Sequence, residues 1–383
     1  MPDDSQQPGR APLSVRVEVT ESAAERREVA RDIAGESGVL PVTEHAPADA
    51  AELAPASAVK VADEPVRTRL SDARSTKLGD SVFRGVSTGA GTLILIIMAA
   101  IAAFLVYKAI PALGKDTANF FTSTDWFPDA NGPTSKPAFG IAALTFHTVL
   151  TSIIAMVVAV PIAIGIALFI TFYAPRRIAS ALGYLVDLLA AVPSVVFGLW
   201  GLFFLAPNLV EVNQFLSHWL GWTVIFNYRQ DSIPANRSDF TAGLVLAIMI
   251  LPIVSAIARE IFRQVPTTHI EGALALGATR WEMIRLSVLP FGRAGLVSAA
   301  MLGLGRALGE TLAVATILSA AYNLNIHILE DGGITFASNI ALKYNEAGDV
   351  GTGALIASGL CLFVITLLVN SVSQLILRRQ QKG

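Results

Sequence analysis

A long apolar run that contains two charged residues limits the possible folds most strongly. Between Ala294 and Ala320 the only charged residues are Arg306 and Glu310. About 20 apolar residues suffice to cross a bilayer as an α-helix. Each charge near the centre of such a helix costs about 2.5–3.5 kcal/mol on insertion scales. A chain that keeps both charges there needs them for packing or for function.

Five further apolar runs of similar length accompany this one, which predicts an all-α polytopic membrane protein with six transmembrane helices. None of the runs alternates polar and apolar residues, so membrane-spanning strands are excluded. Only 15% of the residues are charged, whereas soluble domains have about 25%. The predicted spans are residues 85–107, 143–172, 182–206, 240–260, 294–320 and 352–377.

The segment that precedes the first span differs in composition from the rest. Residues 1–82 contain no Phe, Trp or Tyr, although the chain has 30 aromatic residues (19 Phe, 6 Tyr and 5 Trp). Such a segment buries too little apolar surface to offset the entropy lost on ordering. We therefore expect residues 1–80 to be a disordered cytosolic extension and residues 81–383 to form the membrane domain.

Basic residues predict the orientation of the spans, because cytosolic loops carry an excess of Lys and Arg. With a cytosolic N-terminus, fifteen basic residues lie on the cytosolic side and six on the other side. The distribution predicts a multi-pass protein of the cell membrane with both termini in the cytosol. The exposed apolar helices are expected to contact membrane lipid.

Several classes of function are disfavoured by what the sequence lacks. Cys361 is the single cysteine, and the five histidines show no metal-ligand spacing, so neither a metal nor another cofactor is expected. There is no GxxxxGK[ST] phosphate loop, and no nucleophile–base pair suggests an enzyme. A formal net charge of −2 gives no indication of nucleic-acid binding.

The cytosolic link between the fourth and fifth spans is long and has helix signals. Thr267 or Thr268 can cap a helix after Pro266, with Glu271 at capping-box distance from Thr268. Gly277 is expected to end this helix and Pro290 to end a second one. From the pattern alone, the two short helices could simply be amphipathic elements that lie on the membrane.

A motif in the same link narrows its role. "EGA" at 271–273 is followed by Gly277 and then by "SVLP" at 287–290. This order resembles the EAA loop of ABC importer permeases, in which Glu-Ala-Ala precedes a glycine and a later Ile-x-Leu-Pro. Gly272 and Ser287 depart from that pattern. The resemblance implies ATPase coupling through Glu271, Gly272, Ala273 and Gly277.

Longer segments point to one branch of these permeases. "VPTTHIEGALALGATRWEMIRLSVLP", "LGLGRALGETLAV", "AAVPSVVFGLWGL" and "STDWFPDANGPTSKPAFGI" together resemble the C-type permease subunit of bacterial phosphate-specific ABC importers, over residues 80–380. The resemblance implies a type I importer permease core and ATP-driven import of inorganic phosphate. It also implies a second related permease subunit as heterodimer partner, two ATPase subunits that hydrolyse the ATP, and an external phosphate-binding protein.

Two roles remain open for the charged pair of the fifth span. Arg306 and Glu310 are four residues apart, so on a continuous helix they share a face and can form a structural ion pair. Intramembrane charges are by default functional and usually face the bundle interior or a water-filled cavity, and the planar fork of arginine suits phosphate oxygens. The resemblance favours a gate in which Glu310 neutralises Arg306 until phosphate competes for the arginine.

Structural roles, rather than roles in substrate binding, are expected at several other proline and polar positions of the spans. The Pro193–Ser194 pair is expected to kink the third span, and Asp187 to lie near its cytosolic end. A satisfied neutral histidine is expected at His147, and a contact with a neighbouring helix at Asn370. Two alternatives to phosphate import remain, namely a permease for molybdate or sulfate and an anion transporter that works without an ATPase.

Overall fold

The computed structural model describes residues 74–130, 132, 135–227 and 237–380. The expected extension over residues 1–80 lies almost wholly outside the described residues. In chain order the described elements are α1 (Arg74–Leu113), β1 (Trp126–Phe127), β2 (Ala138–Phe139), α2 (Ala142–Leu168), α3 (Arg176–Ala190), α4 (Ser194–Trp200), α5 (Ala206–Leu220), α6 (Asp239–Arg263), α7 (Thr267–Ala275), α8 (Arg280–Met283), α9 (Leu289–Leu308), α10 (Leu312–Ile317), α11 (Phe336–Lys343) and α12 (Asp349–Gln380).

Six helical stretches of the described residues are long and apolar enough to cross a membrane, which confirms the predicted fold class. They are Gly79–Leu113, Ala142–Tyr173, Ser194–Thr223, Asp239–Arg263, Arg280–Leu308 and Asp349–Leu375. Four of them contain or closely match the predicted spans. The third and the fifth differ, because in both places the helix breaks where the apolar run continues.

The third span lies further along the chain than the predicted 182–206. Helix α3 is separate and amphipathic, and Pro193 is the N-cap of α4 rather than a kink within one helix. Asp187 therefore lies on α3, where its Oδ1 accepts a hydrogen bond of 2.9 Å from Arg259 on α6. The apolar run was misleading because the outer face of α3 is itself apolar, including the exposed Tyr184 and Leu188.

The fifth span begins earlier and ends earlier than the predicted 294–320. A helix runs from Arg280 to Leu308, and Pro290 lies inside it instead of ending it. The turn before α9, Ile284–Val288, is a π-helical turn, which accommodates a proline that lacks the N–H for a regular helical bond. After Leu308 the chain leaves the helix at Gly309 and begins the short α10 at Leu312.

Small residues set the packing of the two most closely paired spans. Ala155, Ala159, Ala163 and Ala167 recur at four-residue steps on α2 and are fully buried in clusters that include residues of α6. An added Cβ at Gly243 of α6 would lie 2.5 Å from a side-chain carbon of α2. Close backbone approach through small residues is the usual basis of helix association in membranes.

A two-stranded antiparallel sheet interrupts the helical architecture between α1 and α2. Trp126 pairs with Phe139, and Phe127 with Ala138. Trp126 and Phe139 are buried in a hydrophobic cluster that also contains residues of α11 and α12. This cluster joins the ends of the spans that are predicted to face outward.

Candidate functional site

Arg306 lies in the last turn of α9, and its side chain is exposed on the surface of the single chain. Its guanidinium forms no hydrogen bond or ion pair with another described residue. The neighbouring Gly305 and Gly309 are also exposed, and an added Cβ at Gly305 would meet nothing within 4 Å. The arginine is therefore accessible to a ligand or to a partner chain.

Glu310 does not share a continuous helix with Arg306, so the expected ion pair is wrong. Helix α9 ends two residues before Glu310, and the ion pairs among the described residues do not include these two side chains. Instead, Oε1 of the buried Glu310 accepts a hydrogen bond of 3.3 Å from the backbone N–H of Ala313. The carboxylate is thereby held beside the first turn of α10, where it precedes the N-cap residue Thr311 and satisfies a backbone N–H of that turn as a capping side chain does.

The two side chains nevertheless line one groove. Its lining combines polar and apolar side chains from α6, α9, α12 and the Gly309–Glu310 turn, namely Ile253, Ser298, Met301, Leu302, Gly305, Arg306, Gly309, Glu310 and Asn370. Sequence reasoning placed Asn370 against a neighbouring helix, whereas the fold brings it to the groove of Arg306. The groove thus combines a free guanidinium, a side-chain amide and a fixed carboxylate.

This set of groups can bind and release an anion without covalent chemistry. A guanidinium offers parallel charge-assisted hydrogen bonds to an oxyanion, and an amide adds a neutral donor. The described residues contain no group of three or more His, Cys, Asp or Glu that could hold a metal ion. The guanidinium of Arg306 and the amide of Asn370 suit direct contact with oxyanion oxygens.

A basic residue that sequence reasoning missed fixes the other end of α10. Arg237 Nε donates to the carbonyl oxygen of Ile317 at 3.0 Å, and one of its Nη atoms to that of Leu318 at 3.0 Å. Its backbone N–H donates to Asp331 Oδ1 at 2.8 Å. Burial raises the pKa of Asp331 above its ordinary value, while this N–H and the Arg237 charge act in the opposite direction. Helix α10 is thus capped at both ends.

A buried histidine–aspartate pair joins α2 and α6 next to this segment. His147 Nδ1 lies 2.7 Å from Asp239 Oδ2, and His147 Nε2 lies 2.9 Å from the carbonyl oxygen of Asn323. The expected hydrogen bonding of His147 is confirmed, its neutral charge stays a prediction, and its partner Asp239 was missed. A sequence signal existed, because both residues lie near the outer ends of their predicted spans and so at similar depth.

The predicted coupling loop forms a helical hairpin that follows α6. Glu271 and Gly272 are exposed on α7, and Ala273 packs partly against the hydrophobic cluster at the end of α6. The expected capping box at Thr268 and Glu271 is wrong, since α7 has Pro266 as its N-cap and no side-chain cap. Gly277 ends α7 in a turn with φ +85°, which favours glycine.

The capping box lies instead at the start of α8. Thr279 Oγ1 accepts from the backbone N–H of Glu282 at 3.3 Å, and Glu282 Oε2 accepts from the N–H of Thr279 at 2.8 Å. The hairpin exposes large apolar side chains, including Leu276, which is 91% exposed, and Trp281, which is 56% exposed. Leu276 lines a surface groove together with Gly272, and this exposed apolar surface can dock on another protein.

The chain is similar to one protein family, to phosphate permeases of several bacteria and to solved transporter structures. Residues 159–382 match the family "Binding-protein-dependent transport system inner membrane component". The chain is 50% identical over 306 residues to "Phosphate transport system permease protein PstC 2" of Mycobacterium tuberculosis, covering 80% of this chain and 94% of the relative. It is 35% identical to "Phosphate transport system permease protein PstC" of Pasteurella multocida, covering 79% and 92%. The MetNI methionine ABC transporter in an inward-facing form matches with a TM-score of 0.40 and 17% identity, covering 63% of this chain and 94% of that one.

Proposed function

We infer function from the premise that this chain belongs to the family of binding-protein-dependent transport system inner membrane components, and within it to the PstC-type phosphate permeases. It is a permease of a phosphate-specific ABC transport system and a multi-pass inner membrane protein. The membership implies an ATPase and a binding protein as partners. The chain itself is a permease component and is not the ATPase of its system.

Within that system, we propose that the chain pairs with a second, related permease subunit and that phosphate passes between the two. The exposed surface of the described residues supports this arrangement. Arg306 and Asn370 are exposed on the single chain although they belong to membrane-spanning helices. Lipid is an unfavourable neighbour for a charged side chain. A polar pathway closed by a second subunit gives both side chains an aqueous or protein environment.

The single observation that carries the pathway is the unpartnered guanidinium of Arg306. Because Glu310 caps α10 instead of neutralising this arginine, the charge of Arg306 is available to an anion. The gate expected from the sequence, in which Glu310 releases Arg306 to phosphate, is therefore replaced by a groove in which both groups are separately placed. Inorganic phosphate, held by the planar fork of Arg306, is the proposed substrate in this groove.

Energy transfer is proposed to use the hairpin of α7 and α8. Glu271, Gly272 and Ala273 lie on α7, with Gly277 as the turn that leads to α8. The exposed apolar side chains of the hairpin suit a cleft on an ATPase subunit, with two such subunits per transporter. Helix α6 and the continuous helix from Arg280 to Leu308 connect this hairpin directly to the groove. A displacement of the hairpin can therefore reach Arg306 through rigid helices.

We propose that both termini face the cytosol and that residues 1–80 form a cytosolic extension. The excess of basic residues on that side supports the orientation. In this orientation, the outward ends of the spans carry the sheet of β1 and β2 and the hydrogen bonds from Arg237 to the end of α10. In a Cys361→Ser background, labelling of single cysteines introduced on either side of the membrane measures this topology directly.

Uptake by the reconstituted transporter tests the proposed function. The chain, its partner permease, the ATPase and the phosphate-binding protein are placed in proteoliposomes, and radiolabelled phosphate is followed with and without ATP. The account predicts ATP-dependent uptake that molybdate and sulfate do not inhibit. Equal uptake without ATP would favour an independent anion transporter, and strong inhibition by molybdate or sulfate would favour a permease for another oxyanion.

A further inference from the structure

A carboxylate beside an anion pathway requires an explanation. Glu310 lines the groove together with Arg306, yet the two side chains do not form an ion pair. A negative charge repels a fully ionised oxyanion, so the carboxylate weakens anion binding unless it makes a specific contact. The cap on α10 explains how Glu310 is held but does not require its charge, because neutral side chains also cap helices.

The contacts of Glu310 fix its position in the groove. Oε1 accepts the hydrogen bond from the N–H of Ala313, and the six-residue α10 is anchored at its other end by Arg237. A carboxylate that is held in this way cannot easily turn away from a ligand. An ionised carboxylate offers acceptors and no donor. A ligand that contacts Glu310 must therefore supply a hydrogen.

Phosphate supplies that hydrogen, and several other oxyanions do not. At neutral pH phosphate retains at least one P–O–H group, as arsenate retains As–O–H, whereas sulfate and molybdate are fully ionised. An O–H donated to a carboxylate forms a short, charge-assisted hydrogen bond. Sulfate in the same position would place an unprotonated oxygen against the carboxylate. Sites built around such a hydrogen bond reject analogues that lack it by about 10⁴–10⁵-fold.

We propose that Glu310 is a specificity-determining residue that accepts the hydroxyl of a protonated oxyanion. Arg306 and Asn370 donate to the remaining oxygens. The groove thereby selects phosphate and arsenate over sulfate and molybdate at the permease itself, in addition to any selection by the binding protein. This assignment rests on the proposed function, in which the groove of Arg306 is the phosphate pathway.

Competition binding to the complete transporter, without its binding protein, tests the assignment. The complex is placed in lipid nanodiscs, and binding of radiolabelled phosphate is measured against arsenate, sulfate and monofluorophosphate. Monofluorophosphate resembles monohydrogen phosphate in shape and charge but carries no proton at neutral pH. We expect arsenate to compete about as well as phosphate, and monofluorophosphate and sulfate to compete at least about 100-fold more weakly.

A matched variant isolates the charge of Glu310. Glu310→Gln keeps an oxygen that can accept from Ala313 and replaces the carboxylate by an amide that can donate. In this variant the preference for phosphate over monofluorophosphate is expected to fall to about tenfold or less. Glu310→Ala removes the cap as well, so comparing the amounts of intact complex separates loss of the cap from loss of the charge.

The outcomes that overturn the assignment differ from those that overturn the pathway. Equal competition by monofluorophosphate in the unmodified transporter would refute the role of Glu310 without any variant. An unchanged preference for phosphate over monofluorophosphate in Glu310→Gln would refute it as well. If Arg306→Ala binds phosphate normally, the groove is not the pathway and the proposed function of Arg306 fails. Loss of binding in Arg306→Ala with an unchanged preference in Glu310→Gln would remove only the specificity role.

Discussion

Asp239 Oδ2 lies 2.7 Å from His147 Nδ1, and both side chains are buried where α2 and α6 begin. His147 Nε2 faces the carbonyl oxygen of Asn323, which can only accept. The ring therefore carries a hydrogen on Nε2 and shares a second proton with the carboxylate of Asp239. The pair fastens the segment that follows α10 to the two most closely packed spans.

Removing either partner is expected to destabilise the protein strongly. His147→Ala leaves the Asp239 carboxylate buried without its partner, a change that costs about 3–5 kcal/mol in comparable pairs. We expect a marked loss of thermal stability and of assembled transporter, measured by fluorescence-detected size exclusion on heating.

The matched control is the ion pair between Lys343 and Glu346, whose side chains are 42% and 71% exposed. Glu346→Gln is expected to change stability by about 1 kcal/mol or less. Equal losses in the two variants would contradict the special role of the buried pair.

The docking face of α7 gives a prediction about energy coupling. An added Cβ at Gly272 meets nothing within 4 Å, so Gly272→Ala fits the chain and favours the helix by about 1 kcal/mol. Gly272→Trp adds bulk on the surface proposed to enter the ATPase cleft. We expect the alanine variant to transport normally and the tryptophan variant to lose uptake relative to ATP hydrolysis.

The measurement is the ratio of phosphate taken up to ATP hydrolysed in proteoliposomes. A normal ratio in an assembled Gly272→Trp transporter would place the docking surface elsewhere on the hairpin.

The N-terminal extension is expected to be dispensable for transport. Residues 1–82 lack the aromatic side chains that usually anchor a segment to another surface. Deleting residues 2–75 leaves Lys77 and Arg84 before the first span to maintain its orientation. Phosphate uptake per assembled transporter should stay within about twofold of the full chain, and a truncated protein that reaches the membrane but fails to transport would refute this.

The sequence predicted the fold class because membrane crossing leaves a strong local signal. Long apolar runs located four of the six spans to within about one or two helical turns. The hairpin of α7 and α8 was also predictable, since Gly277 interrupts the helix-forming sequence between the fourth and fifth spans. What failed was the position of breaks inside apolar sequence, at Pro193 and at Gly309, where both sides of the break are equally apolar.

The contacts of the site depended on tertiary structure. Arg237 caps α10 across 80 residues of sequence, and His147 meets Asp239 across 92. No local pattern specifies such partners. The separation of Arg306 from Glu310 was missed for a related reason, because a spacing of four implies a shared helix face only where the helix continues. Gly309 was the available sequence signal for the end of α9.

Uptake by Arg306→Lys, normalised to the amount of intact transporter, tests the central claim most directly. Lysine keeps the positive charge but cannot reproduce the two parallel hydrogen bonds that a guanidinium makes to phosphate oxygens. If Arg306 binds phosphate in transit, Arg306→Lys should fail nearly as badly as Arg306→Ala, with both variants assembled. Full uptake by Arg306→Lys would contradict the claim and leave Arg306 as a residue for which positive charge alone suffices.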